Sequence, residues 1–169
     1  MALARWLLTT VLGSGETIAG AIYGTIIVMA TIVAGGANEG VGAWELAGAA
    51  AVTTVVLSLA HLYAEMVAGS IEHQRRLTPA ERRHIWRHEA AIPLAAVLPV
   101  TALVVGATGL IDEGTAVWIA LGIGLATLAL QGLRYAVVQR LAPAQTILAI
   151  ALNFALGVVM VGLKVAISH

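Results

Sequence analysis

Five stretches of the chain are nearly free of charge and long enough to cross a bilayer, and polar residues come in short bursts between them. A spanning helix needs about 20 predominantly apolar residues. The runs lie at roughly 7–34, 44–69, 90–111, 115–138 and 144–167. The first is interrupted only by Gly13-Ser14-Gly15-Glu16-Thr17. The breaks at 35–43, 112–114 and 139–143 are short and rich in Gly, Pro or charge, so they predict antiparallel neighbours. The expected fold is an all-α membrane protein, a single five-helix transmembrane domain over 1–169. A cleavable signal peptide is not expected, because hydrophobicity resumes after Glu16 with no small-residue cleavage site.

Residues 70–89 are long enough to carry structure of their own. Thr78 suits an N-cap, Pro79 the first helical position and Glu81 the third, where its carboxylate reaches back as a capping box. A basic helix through Arg82-Arg83-His84-Ile85-Trp86-Arg87-His88 should then lead into the third span.

Composition fixes the solvent. Hydrophobic residues make up 60% and charged residues 11%, against about 25% charged in a soluble domain. The nine basic and nine acidic residues cancel, which points to no nucleic-acid partner. There is no cysteine, so disulfides, thiolate metal sites and cysteine nucleophiles are excluded. The arginines set the orientation. Arg5, then Arg75, Arg76, Arg82, Arg83 and Arg87, then Arg134 and Arg140 all fall on one side of a five-span bundle. The opposite loops hold Glu39, Glu45, Asp112 and Glu113. The N-terminus and the 70–89 helix are therefore expected in the cytoplasm and the C-terminus outside, in a bacterial plasma membrane. Arg75, Arg76, Arg82, Arg83, Trp86 and Arg87 would meet anionic headgroups or a partner.

Ionisable groups inside a span are costly and mark functional candidates. Glu16 lies about nine residues into the first span, roughly 13 Å at 1.5 Å per residue. His61, Gln131 and Asn153 come from the second, fourth and fifth spans at a similar depth from the same side. Four helices would thus share one polar layer. Thr54, Ser58, His61 and Glu65 form a helical stripe, and Thr127, Gln131, Arg134 and Tyr135 form another. Tyr23 extends the Glu16 face outward. Gly20 and Gly24 have the small-residue spacing of close helix approach and are expected against the second span or a neighbouring copy. Glu65 and Arg134 are placed to pair. The competing reading is that these polar groups only hold helices together.

No phosphate loop, serine elbow or zinc-protease motif occurs. A weakly held divalent ion on Glu16, His61 and Glu65 is chemically compatible, though no cofactor is expected. The segments Gly15-Glu16-(x3)-Gly20-(x2)-Tyr23-Gly24-Thr25, Leu59-Ala60-His61-Leu62-Tyr63-Ala64, Val97-Leu98-Pro99-Val100 and Gln131-Gly132-Leu133-Arg134-Tyr135-Ala136 resemble a group of small actinobacterial integral membrane proteins with no assigned function. That resemblance implies membership alone. A looser one, to bacterial potassium channels of the endolysosomal type, rests on the polar opening of the first span, the histidine late in the second and Leu98-Pro99 in the third. It implies a cation path. That family has six helices per repeat and an Arg-Phe-Ser-Asp type motif where this chain reads Gly13-Ser14-Gly15-Glu16.

The expected function is a small homo-oligomeric channel or transporter for a proton or other monovalent cation. Glu16, His61, Glu65, Tyr23, Gln131, Asn153 and Arg134 would lie on its path. Two alternatives are a non-transporting scaffold acting through 70–89, and a membrane enzyme acting on a lipid or quinone with His61 and Glu65 as acid and base.

Overall fold

The computed structural model of the chain describes residues 18–36 and 40–167. Six helices follow one another: α1 (Ile18–Gly35), α2 (Ala43–Glu72), α3 (Pro79–Glu89), α4 (Ala91–Ala107), α5 (Glu113–Val138) and α6 (Pro143–Ile167). The described residues contain no strand. Five segments are long and apolar enough to cross a membrane: α1, α2, the α3–α4 pair by virtue of its apolar α4 part, α5 and α6. Helices are the natural outcome for such a composition, because in hydrocarbon each backbone N–H and C=O must find its partner within the chain.

Local chemistry sets the ends. Thr78 caps α3 as its sequence predicts: its hydroxyl accepts from the Glu81 N–H, and the Thr78 N–H donates to Glu81 Oε2 at 2.7 Å. Asp112 caps α5 by accepting from the Thr115 N–H at 2.9 Å. The open amides of α2 are taken by two acids. Gly42 N–H donates to Glu45 at 3.2 Å, and Ala43 N–H donates to Glu113, from the first turn of α5, at 3.0 Å. Carboxylates at a helix N-terminus also complement its dipole. The third span stops at Ala107, short of the expected 111. Thr108 closes the helix there and Gly109 turns the chain with a φ of +77°, a conformation glycine adopts without strain.

α3 and α4 meet at Ala90, which keeps near-helical angles (φ −62°, ψ −17°). Four residues beyond Glu89 stands Pro93, which has no N–H to donate to the Glu89 carbonyl. Ser58 of α2 supplies the missing donor, its hydroxyl lying 2.8 Å from that oxygen. The basic helix and the third span are thus one element with a break that α2 repairs.

α1 occupies the middle of the bundle. The helices α2, α4, α5 and α6 are successive neighbours, and each of them also packs on α1. Val28, Met29 and Ile32 of α1 meet Leu46, Ala47 and Ala50 of α2, Leu103 of α4 and Leu121 and Leu128 of α5 in a buried apolar core. Gly20 and Gly24 do not face α2 as expected. They face the α3–α4 break: a Cβ on Gly20 would lie 3.1 Å from Ala91 Cβ, and one on Gly24 would lie 2.9 Å from Ile92 Cα. Two alanines, Ala91 and Ala95, stand opposite the two glycines, so small side chains on both sides let α1 and α4 approach closely. On the other side, a Cβ on Gly132 would come within 2.7 Å of Ala149 O, which sets how closely α5 and α6 approach.

Candidate functional site

Several polar side chains lie toward the α3 end of the bundle, and a chain of contacts ties their levels together. Gly20 lies opposite the His88 carbonyl and Ala91. One turn along α1, the Tyr23 ring sits against the His61 imidazole, centroids 5.3 Å apart and planes tilted by 56°. One turn along α2 from His61, Ser58 reaches Glu89. Gln131 of α5 is fully buried. Its neighbour Gly132 lies against Ala149 and Ile150, a turn from Asn153 of α6. Tyr23, Ser58, His61 and Glu89 therefore share one band. A Cβ on Gly124 of α5 would lie 2.6 Å from Met29 Sδ of α1, and seven residues further along the antiparallel α5 Gln131 comes near the level of Tyr23, with Asn153 close by on α6.

His61 is half-buried, with Nδ1 3.1 Å from the Leu57 carbonyl oxygen. A carbonyl only accepts, so in this bond Nδ1 carries the hydrogen, and the neutral ring keeps Nε2 as its proton-accepting atom. The Tyr23 face then limits how the ring turns. Glu89 is the acid of this band that composition concealed. It is only 5% exposed, and its carboxylate lies 3.1 Å from His88 Nδ1. In the sequence it closes a run of arginines and histidines that reads as solvated surface. The buried stripe of α4 carries the usable signal: Ile92, Ala96, Pro99 and Leu103 are buried, and stepping three residues back from Ile92 lands on Glu89.

Other polar groups act mainly on their own helices. Thr25, Thr54 and Thr127 donate to the carbonyls of Ala21, Ala50 and Ile123 at 2.8 Å each, which satisfies a hydroxyl inside an apolar bundle. Asn153 Nδ2 likewise donates to Ala149 O at 3.0 Å. Arg134 is half-buried and engaged. Glu65 is exposed on α2 and makes no ion pair, so the expected pairing of Glu65 with Arg134 does not form. Glu16 lies outside the described residues, and with it its expected place in the layer of His61. Of the suggested metal set only His61 and Glu65 are described, and no cluster of three or more His, Asp or Glu side chains occurs among the described residues.

The second feature is basic. Arg75 holds Glu81 through two hydrogen bonds of 2.8 and 3.0 Å, which pins the α2–α3 turn to the start of α3. The Arg75 guanidinium, then the Thr78 N–H and hydroxyl, hold the Glu81 carboxyl well below the usual carboxylate range. Arg76 is exposed beside them. Arg82, Arg83, Trp86 and Arg87 line an open groove of about 620 Å³ with Met66, Pro79 and Ala90.

Compared with known proteins, the chain matches no family model, no curated protein and no solved structure.

Proposed function

We propose that this is an integral membrane protein of a bacterial plasma membrane that moves a proton or another monovalent cation, with its N-terminus and α3 in the cytoplasm. The observation that carries the reading is one imidazole and one buried carboxylate in the same band. His61 presents an open Nε2, and the Glu89 carboxylate, beside His88, is 5% exposed. Ionisable residues inside a span are retained at a cost and are functional candidates by default. The arginine asymmetry between loops supports the orientation.

The path runs between copies of the chain. Beyond the band, the centre of one protomer is filled by Val28, Met29, Ile32, Leu103, Leu121 and Leu128, all buried, and packed apolar side chains leave no wet passage. Tyr23 and His61, at the α1–α2 surface, remain partly exposed, which supports a path completed by a second copy. The assembly proposed is a closed homo-oligomer, the common symmetry for copies of one chain.

Flux into proteoliposomes tests the reading. Wild type should conduct, and Glu16→Gln and His61→Gln should each reduce the rate severely. Equal rates in all three, or no flux from wild type in either membrane orientation, overturn it.

A further inference from the structure

α3 separates its charges by purpose. Glu81 is engaged by Arg75, and Glu89 is turned into the bundle beside His88. Arg82, Arg83 and Arg87 are exposed and have no ion-pair partner among the described residues. Positions 82, 83, 86 and 87 are i, i+1, i+4 and i+5, so on a helix they share one face. That face looks across a groove to Met66 of α2, with Pro79 at one end and Ala90, where the apolar span begins, at the other. Arg83 and Arg87 also line an adjoining hollow of about 470 Å³ with Pro79, Ala80 and His84. These two arginines form the ridge shared by both depressions.

The lining is two-natured. Guanidinium groups bind phosphate through paired N–H donors. Met66, Ala90 and the Trp86 ring add an apolar wall that leads toward the span, and tryptophan favours the interface between headgroups and chains. A free inorganic anion has no use for that wall, whereas an amphiphile uses both parts. The volume lies within the range of about 300–1,000 Å³ that holds small-molecule ligands. We propose that this groove binds one anionic phospholipid, its phosphate on Arg83 and Arg87 with Arg82 adding charge, and the glycerol end of its chains along Trp86 and Met66. The inference stands apart from the cation path, since none of its residues belongs to the polar band.

The test is lipid binding by native mass spectrometry of the detergent-purified full chain. Phosphatidylglycerol is titrated against phosphatidylcholine, with inorganic phosphate as competitor. Wild type should retain phosphatidylglycerol in preference to phosphatidylcholine at one saturable site, and millimolar inorganic phosphate should leave it in place. The pair Arg83→Gln/Arg87→Gln should weaken binding about thirtyfold, at the usual contribution of an arginine near an anionic headgroup. The pair Arg76→Gln/Arg140→Gln removes equal charge away from the groove and should change binding little. Met66→Gln should weaken retention while leaving the arginines in place. Equal losses in the two arginine pairs, displacement by inorganic phosphate, or phosphatidylcholine bound as well as phosphatidylglycerol would each overturn the proposal.

Discussion

The Ser58 hydroxyl donates to the Glu89 carbonyl oxygen at 2.8 Å, the bond that Pro93 denies to α3. One serine on α2 thereby closes the break at which the basic helix becomes a spanning helix. Removing it should leave a carbonyl without a donor in a partly buried setting, at a cost of about 1 kcal/mol. Ser58→Ala should lower thermal stability in detergent. In the Pro93→Ala background, where residue 93 supplies the helical N–H, the same change should cost much less. Additive losses in the double variant would show that the two residues do not act on one carbonyl.

Close approach of α1 to α4 depends on the missing side chain at Gly24, where a Cβ would lie 2.9 Å from Ile92 Cα. Gly24→Val should force the helices apart and destabilise the bundle by about 1–3 kcal/mol. Gly122 has nothing within 4 Å of its Cβ position. Gly122→Ala should be neutral or stabilising by about 0.5–1 kcal/mol, the helix propensity gained. Thermal unfolding of the two variants side by side distinguishes a packing requirement from a general intolerance of substitution.

At the other end of the bundle, Glu113 accepts from the Ala43 N–H at 3.0 Å. Glu113→Ala should free the first turn of α2 and cost about 1 kcal/mol. Hydrogen exchange should then quicken at Ala43 and not in the middle of α2. Unchanged exchange at Ala43 would mean that Glu45 and water suffice as caps.

The Arg75–Glu81 bridge predicts a pH dependence of definite sign. The folded Glu81 carboxyl titrates below its unfolded counterpart, so its contribution is complete above the ordinary carboxylate value of about 4.3. It is lost progressively below that value, and fully once pH falls through the depressed folded value. The start of α3 should thus remain helical at pH 4, and Arg75→Gln should move the Glu81 carboxyl resonance upward in pH. A Glu81 titration at the ordinary value in wild type would contradict the bridge.

Much of the architecture was legible because it follows from short-range rules. Thr78, Pro79 and Glu81 define the start of α3 within four positions, and apolar runs of the necessary length define the spans. The central place of α1 was hidden, since loop length makes α1 and α2 antiparallel neighbours without excluding α4 from the same helix. The partner of Gly20 and Gly24 was hidden for that reason, although Ala91 and Ala95 are the small residues that α1 selects. Glu89 was masked by the arginines before it, whereas phase from Ile92 reveals its buried side. Depth counting from the sequence puts His61, Gln131 and Asn153 at a similar level. It did not foresee that Asn153 and the threonines would bond to their own helices, because i to i−4 carbonyls are available to any such side chain.

The central claim is that His61 handles the transported cation, and a proton-flux assay tests it most directly. Proteoliposomes carrying an internal pH-sensitive dye and a potassium diffusion potential would hold wild type, His61→Gln or Gly122→Ala at equal protein content. The account predicts rapid acidification with wild type and Gly122→Ala, and a rate at least about tenfold lower with His61→Gln, as befits loss of the group that exchanges the proton. If His61→Gln acidifies the vesicles as fast as wild type, or if wild type moves neither protons nor potassium, the polar band is structural and the proposed function is wrong.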